Sequence, residues 1–188
     1  DGKKLSFKLR QGVQWHDGKP FTSADVVCTF DLLLGGESES KLRRNPRSAW
    51  WSNVEKATAD GDFGTTLHLK QRQPSLLALL ASGYTPVYPC HVPVADMRRK
   101  PIGTGPFKFV EFKMNESIKL AKNTNYWKKG RPYLDGIEYT IIPDRSTRML
   151  AFASGKYDMT FPTDVSIPLL KNIKKDAPAA QCTMRFTG

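Results

Sequence analysis

The chain has 188 residues, 39% of them hydrophobic, with four Trp and ten Phe, enough apolar mass for one domain with a real core or two small ones. No run of about 18 apolar residues occurs, which excludes a helix that crosses a membrane. The formal net charge of +11 points to an anionic polymer or surface, but the basic residues are scattered through Lys41–Arg44, Arg98–Lys100, Lys128–Lys129 and Lys171–Lys175 without a nucleic-acid-binding motif, the pattern of solvated faces.

Asp1–Lys4 lead directly into an apolar alternation, with no apolar stretch of a signal peptide, so the start reads as a processed or cut end. Leu5, Phe7 and Leu9 alternate with Ser6, Lys8 and Arg10 as in a half-buried strand. Gly12 interrupts it, Val13–Trp15 resumes extended structure, and Asp17–Gly18 supplies a tight, hairpin-like turn. Thr22 and Asp25 then form a capping box, and the Asp25 charge suits a helix N-terminus. Val26, Val27, Phe30, Leu33 and Leu34 follow at helical spacing until Gly35–Gly36 stops the helix.

In the second half, Ile102-Gly103-Thr104-Gly105-Pro106-Phe107 precedes an alternating strand through Phe112. Met114–Glu116 then makes a hairpin to a strand over Ser117–Ala121. Gly103 and Gly105 invite a phosphate-loop reading, but a third glycine is missing at Lys108 and a strand follows instead of a helix, which favours a tight structural crossing. A strand over Glu138–Ile142, a break at Pro143–Asp144 and a helix carrying Met149, Leu150, Phe152 and Ala153 come next. Gly155–Asp158 closes that helix and is expected to open another strand.

Three cysteines, Cys28, Cys90 and Cys182, are too few and too widely spaced for a zinc ribbon or a CxxC motif. Cys28, inside the first helix, reads as a small buried apolar residue; a Cys90–Cys182 bridge stays open. His16, His68 and His91 lack metal-ligand spacing, and no Gly-x-Ser-x-Gly elbow occurs. No enzyme activity, cofactor or metal is therefore expected, and His16 beside Asp17 reads as a turn residue.

The string Phe7-x-Leu9-Arg10-x-Gly12-Val13-x-Trp15-x-Asp17-Gly18-x-Pro20-Phe21-Thr22-x-x-Asp25-Val26-Val27 resembles the signature of the extracytoplasmic solute-binding proteins of the peptide, dipeptide and nickel class, family 5, which serve ATP-driven importers. Asn123-x-x-Tyr126-Trp127-x-x-Gly130-x-Pro132-Tyr133-Leu134-Asp135-Gly136-Ile137 and the succession that follows resemble the same family. The resemblance implies a mixed α/β, periplasmic-binding-protein-like fold: part of one lobe with its extra subdomain, and the second lobe missing. Residues 1–100 would be the extra subdomain and 101–188 part of the first-lobe sheet, with the boundary at the exposed Arg98–Pro101.

It further implies a monomeric receptor outside the cytoplasm that closes on a peptide, opine, sugar or similar small solute and delivers it to a membrane permease, with no nucleic-acid partner. The alternative is a basic interaction domain that binds an anionic polymer or surface. Asp17, Gly18, Thr22, Asp25, Gly103 and Gly105 are expected to set backbone geometry. Thr160, Phe161, Pro162 and Asp164, followed by Trp50 and Trp51, are the candidates for the solute cleft, because an extended ligand at a domain junction wants aromatic walls and backbone partners. Ordinary core packing is the competing reading for each aromatic.

Overall fold

The computed structural model describes residues 2–35 and 48–182; Gly36 and the Lys41–Arg44 cluster lie outside the described residues. The chain divides into two compact units, one of Asp1–Val110 with Lys119–Ile137, the other of Glu111–Ile118 with the residues from Glu138 onward.

In the first unit, β1 (Lys4–Lys8), β2 (Val54–Ala59) and β3 (Gly64–Leu69) form an antiparallel sheet in the order β1-β3-β2, with Leu5 opposite Leu67 and Phe7 opposite Thr65. The Leu5/Phe7 alternation is what a strand with one covered face requires, and both residues are half-buried. The β2–β3 hairpin closes with Asp60 N–H donating to the Gly64 carbonyl at 2.8 Å.

Helix α1 (Ser23–Leu34) begins where the capping box predicts, with Thr22 as an extended N-cap. It stops at Gly35, whose φ of +78° lets its N–H reach the Asp31 carbonyl. Val26 and Phe30 from α1 are buried against Trp51, Val54, Leu67, Leu69 and Leu76. Phe30 meets Trp51 edge to face, with centroids 5.6 Å apart. The short helices α2 (Leu76–Leu80) and α3 (Val94–Met97) belong to the same unit.

The cysteine expectation needs correction. Cys28 is bridged to Cys90, with Cα atoms 6.3 Å apart, and Cys182 is free and exposed. The reason lies beside the bridge: Tyr88 N–H donates to Thr29 Oγ1 at 2.8 Å, holding the segment before Cys90 against α1 next to Cys28.

A second sheet has the order β4-β5-β6, from β4 (Phe107–Lys113), β5 (Ser117–Lys122) and β6 (Gly136–Thr140). Asn115, at φ 59°, turns β4 into β5, and Glu116 N–H donates to the Lys113 carbonyl at 3.0 Å. The second unit adds α4 (Arg145–Ala153) and α5 (Ile167–Asp176). Asp144 caps α4, accepting from Thr147 N–H at 2.7 Å and Thr147 Oγ1 at 2.6 Å. These bonds, the hydroxyl's foremost, hold the Asp144 carboxyl below its usual range.

The strand expected after Gly155 does not form. Residues 156–161 have no ladder partner among the described residues, Met159 and Phe161 are exposed, and a 3₁₀ turn follows at Pro162–Asp164. An alternating segment without a neighbouring strand has nothing to pair its backbone with.

Candidate functional site

The signature segment forms a tight corner. Gly18 N–H donates to the Trp15 carbonyl and Trp15 N–H to the Lys19 carbonyl, both at 2.8 Å, and Gly18 takes the positive φ of 90° that the turn demands. Asp17 Oδ1 accepts from Lys19 N–H at 3.2 Å, while Oδ2 pairs with His91 Nε2 at 2.7 Å. Partial burial opposes ionisation of Asp17, but the His91 and Lys19 hydrogen bonds outweigh it and the carboxyl sits below its usual range.

Next to it, His16 holds the glycine crossing on both sides. Its Nδ1 accepts from Gly103 N–H at 3.1 Å, and its Nε2 lies 3.0 Å from the Gly105 carbonyl. An acceptor at Nδ1 places the ring proton on Nε2, where it donates to Gly105. The His16 N–H donates to the Gly103 carbonyl at 2.9 Å, and Lys108 Nζ donates to the His16 carbonyl at 3.1 Å. Asn123 Nδ2 donates to the Gly105 carbonyl at 2.9 Å. Burial, with Lys108 nearby, pushes the imidazole pKa below 6.5 despite the opposing pull of the Gly105 carbonyl and Asp17. The crossing is therefore held by a neutral histidine.

This corner borders an open cleft of about 580 Å³ inside the first unit. Trp15, Phe21, Val87, Met97 and Ile102 supply apolar walls, and Tyr88, Arg98 and Thr104 are polar residues of the lining. The Pro86–Tyr88 wall has no regular secondary structure. It is pinned instead by the Cys28–Cys90 bridge, the Tyr88–Thr29 bond and the His91–Asp17 pair.

The cleft candidates named from the sequence fall in different surroundings. Trp51 is 1% exposed and fills the core against Phe30. Its neighbour Trp50 is 42% exposed and meets Tyr84, 59% exposed, edge to face at 5.7 Å. In the second unit, Phe161 is exposed and stacks on Tyr139 with centroids 6.1 Å apart. Thr160 is half-buried beside it in sequence, and the side chain of Pro162 lies outside the described residues. Asp164 is occupied: Arg148 Nη2 reaches Oδ1 at 2.8 Å and Nε reaches Oδ2 at 3.1 Å, a two-point pair that engages both oxygens. Arg145 Nε also donates to the Asp164 carbonyl at 2.7 Å.

His16 sits in the turn, as expected, but its clamp on the glycine crossing, and the parts played by His91, Tyr84 and Tyr88, were missed by sequence reasoning. The partners of the two histidines lie 74 to 89 positions away, beyond the reach of any spacing rule. Tyr84 carried a signal, an aromatic in a loop rich in small and turn-forming residues. Among the described residues no group of three His, Cys, Asp or Glu side chains is placed to hold a metal ion, and no helix is long and apolar enough to cross a membrane.

The family described as "Bacterial extracellular solute-binding proteins, family 5 Middle" matches residues 1–186. The oligopeptide-binding protein AppA of Bacillus subtilis (strain 168) is 35% identical over 164 residues, covering 82% of this chain and 29% of its own length. The structure of B. subtilis AppA in complex with a nonapeptide superposes with a TM-score of 0.75 at 33% identity, covering 93% of this chain and 34% of that one. AgaA of A. tumefaciens R10 in complex with agropinic acid gives a TM-score of 0.69 at 29% identity, covering 84% of this chain and 31% of that one. The chain thus spans about a third of the length of the relatives it matches. The mixed α/β architecture is that of part of their fold, and this chain belongs to the bacterial extracellular solute-binding proteins, family 5.

Proposed function

We propose that the protein is the solute receptor of an ATP-driven importer, which takes up a peptide or similar small solute outside the cytoplasm and hands it to a membrane permease. The observation that carries this reading is the 33% identity and 0.75 TM-score to an oligopeptide-binding protein whose structure holds a nonapeptide. The Cys28–Cys90 bridge supports it, since disulfides persist in oxidising compartments.

In this reading, residues 1–100 form the extra subdomain and the chain from Pro101 belongs to the first-lobe sheet. The exposed ring of Phe161, stacked on Tyr139, is a solute-facing aromatic in the second unit, and the exposed ring of Trp50, set against Tyr84, is a separate candidate in the first. A ring held by a neighbour loses little freedom when a ligand stacks on it, which favours affinity. Thr160 adds a hydroxyl beside Phe161. Trp51 is packed in the core and Asp164 is paired with Arg148, and in this reading both serve to position the site. The receptor works as a monomer.

The reading is tested by calorimetric titration of the protein at its full natural length against short peptides, opines and sugars. Saturable one-to-one binding that depends on ligand identity is expected. Heat only with heparin or DNA, lost log-linearly as salt rises, would instead assign a basic polymer-binding domain.

A further inference from the structure

We propose that the cleft in the first unit binds an amphipathic carboxylate, an apolar or aromatic side chain whose carboxylate meets Arg98; this adds a contact site to those of the receptor reading and rests on that reading. The cleft, about 580 Å³, is large enough to take an aromatic amino-acid side chain and its terminal group. Its walls set the apolar half of the ligand. Trp15, Phe21, Val87, Met97 and Ile102 offer aromatic and aliphatic surface and no charge.

The polar half follows from the charged residue of the lining. Arg98 is the only charged residue of the lining, it is exposed, and its guanidinium makes no ion pair or hydrogen bond with the described residues. Tyr88 and Thr104 are the other polar residues of the lining. A guanidinium donates only, so the charged group of the lining prefers an anionic oxygen. A carboxylate suits the planar fork of Arg in two-point geometry.

The walls around these groups are fixed in advance. Tyr88 is tied through its N–H to Thr29 and lies two residues before the Cys28–Cys90 bridge, and Gly103, next to Thr104, is bonded on both sides to His16. Binding therefore orders little backbone, which preserves affinity. Two sources share the ligand chemistry, the C-terminal residue of a peptide and a free aryl or alkyl carboxylic acid.

The test is calorimetric titration of the full-length protein in about 0.15 M salt, where the Debye length is roughly 8 Å and diffuse surface charge is largely screened. The probes are Ala-Ala-Phe and N-acetylphenylalanine, each as free acid and as amide. Free acids are expected to bind at least tenfold more tightly than amides, and Arg98→Gln to remove about tenfold or more, the scale of a lost hydrogen bond to a charged group. Arg99→Gln, an exposed neighbour outside the lining, is expected to leave affinity unchanged. Preference for the tripeptide acid assigns a peptide terminus, and preference for the acylated amino acid assigns a free carboxylate. Acid and amide binding equally well would overturn the proposal and leave the receptor reading standing, as would equal losses in Arg98→Gln and Arg99→Gln. No binding of these probes, of other peptides or of small solutes would overturn both.

Discussion

Trp15 Nε1 donates to Asp25 Oδ2 at 3.2 Å, and the same oxygen accepts the Thr22 N–H at 3.0 Å. One buried carboxylate thus joins the turn, the cap and the first turn of α1. Asp25 is 7% and Trp15 3% exposed, so neither bond is replaced by water without opening the corner. The Asp25 N–H donates to the Thr22 carbonyl at 3.2 Å, and Asp25 is the stronger arm of the capping box.

Replacing Asp25 by Ala removes the cap partner and leaves a buried indole N–H without an acceptor. The expected loss is about 2–4 kcal/mol. Asp25→Asn keeps an acceptor oxygen and should lose less than half of that, and Thr22→Ala about 1 kcal/mol or less. Urea unfolding of the three variants checks the order. Thr22→Ala as costly as Asp25→Ala would show that the hydroxyl, and not the carboxylate, organises the corner.

The two adjacent tryptophans should separate cleanly. Trp51→Ala empties a core site and is expected to cost about 3–5 kcal/mol, while Trp50→Ala should stay within about 0.5 kcal/mol of wild type, as exposed substitutions do. The solute affinity of the full-length protein should respond in the opposite order. Unchanged affinity in Trp50→Ala would remove that ring from the solute site.

The Cys28–Cys90 bridge closes a loop across a sequence separation of 62. In the chain-entropy account such a loop contributes about 4 kcal/mol. The double variant Cys28→Ser/Cys90→Ser should therefore unfold at markedly lower urea, and dithiothreitol should lower wild type to the same midpoint. Peptide mapping that finds Cys182 in the bridge would contradict the assignment.

His16 gives the corner a pH dependence with a definite sign. Its folded pKa lies below the ordinary 6.5, so the unfolded chain binds the proton more readily. Its contribution is then complete above pH 6.5 and is lost as the pH falls below 6.5 through the folded value. Protonation would turn Nδ1 into a donor facing the Gly103 N–H. Wild-type stability minus that of His16→Asn should therefore decline with acidification in this window, above the range where Asp17 and Asp144 titrate. A difference that is flat with pH would mean that the imidazole is not needed neutral.

Local signals carried much of this architecture. The Leu5/Phe7 alternation, the Asp17–Gly18 turn, the start of α1 and the β4–β5 hairpin are set by neighbours within a few positions, and all were legible. The β2–β3 hairpin was illegible on its first strand, because Val54 and Ala57, both buried, are three residues apart across a register shift that breaks the alternation; Asp60–Gly61 and the Leu67/Leu69 alternation were its remaining signals. Strand formation after Gly155 was expected from a local pattern, but pairing is a tertiary event. The cleft was illegible for the same reason: Trp15, Tyr88 and Thr104 converge through a disulfide and a histidine clamp whose partners lie 62 to 89 residues apart. The Trp50/Trp51 pair shows the limit within two residues, since only the fold decides which ring is core.

The receptor assignment stands or falls on one titration: the full-length protein against a peptide panel at 50 and 300 mM salt, followed by calorimetry. Saturable one-to-one binding is predicted for a subset of peptides, with affinity changing by less than about threefold over that range, because a cleft holding a small solute releases few counterions. Binding to heparin or DNA alone, with affinity falling by about a thousandfold or more over the same range as when many phosphate contacts are broken, would contradict it.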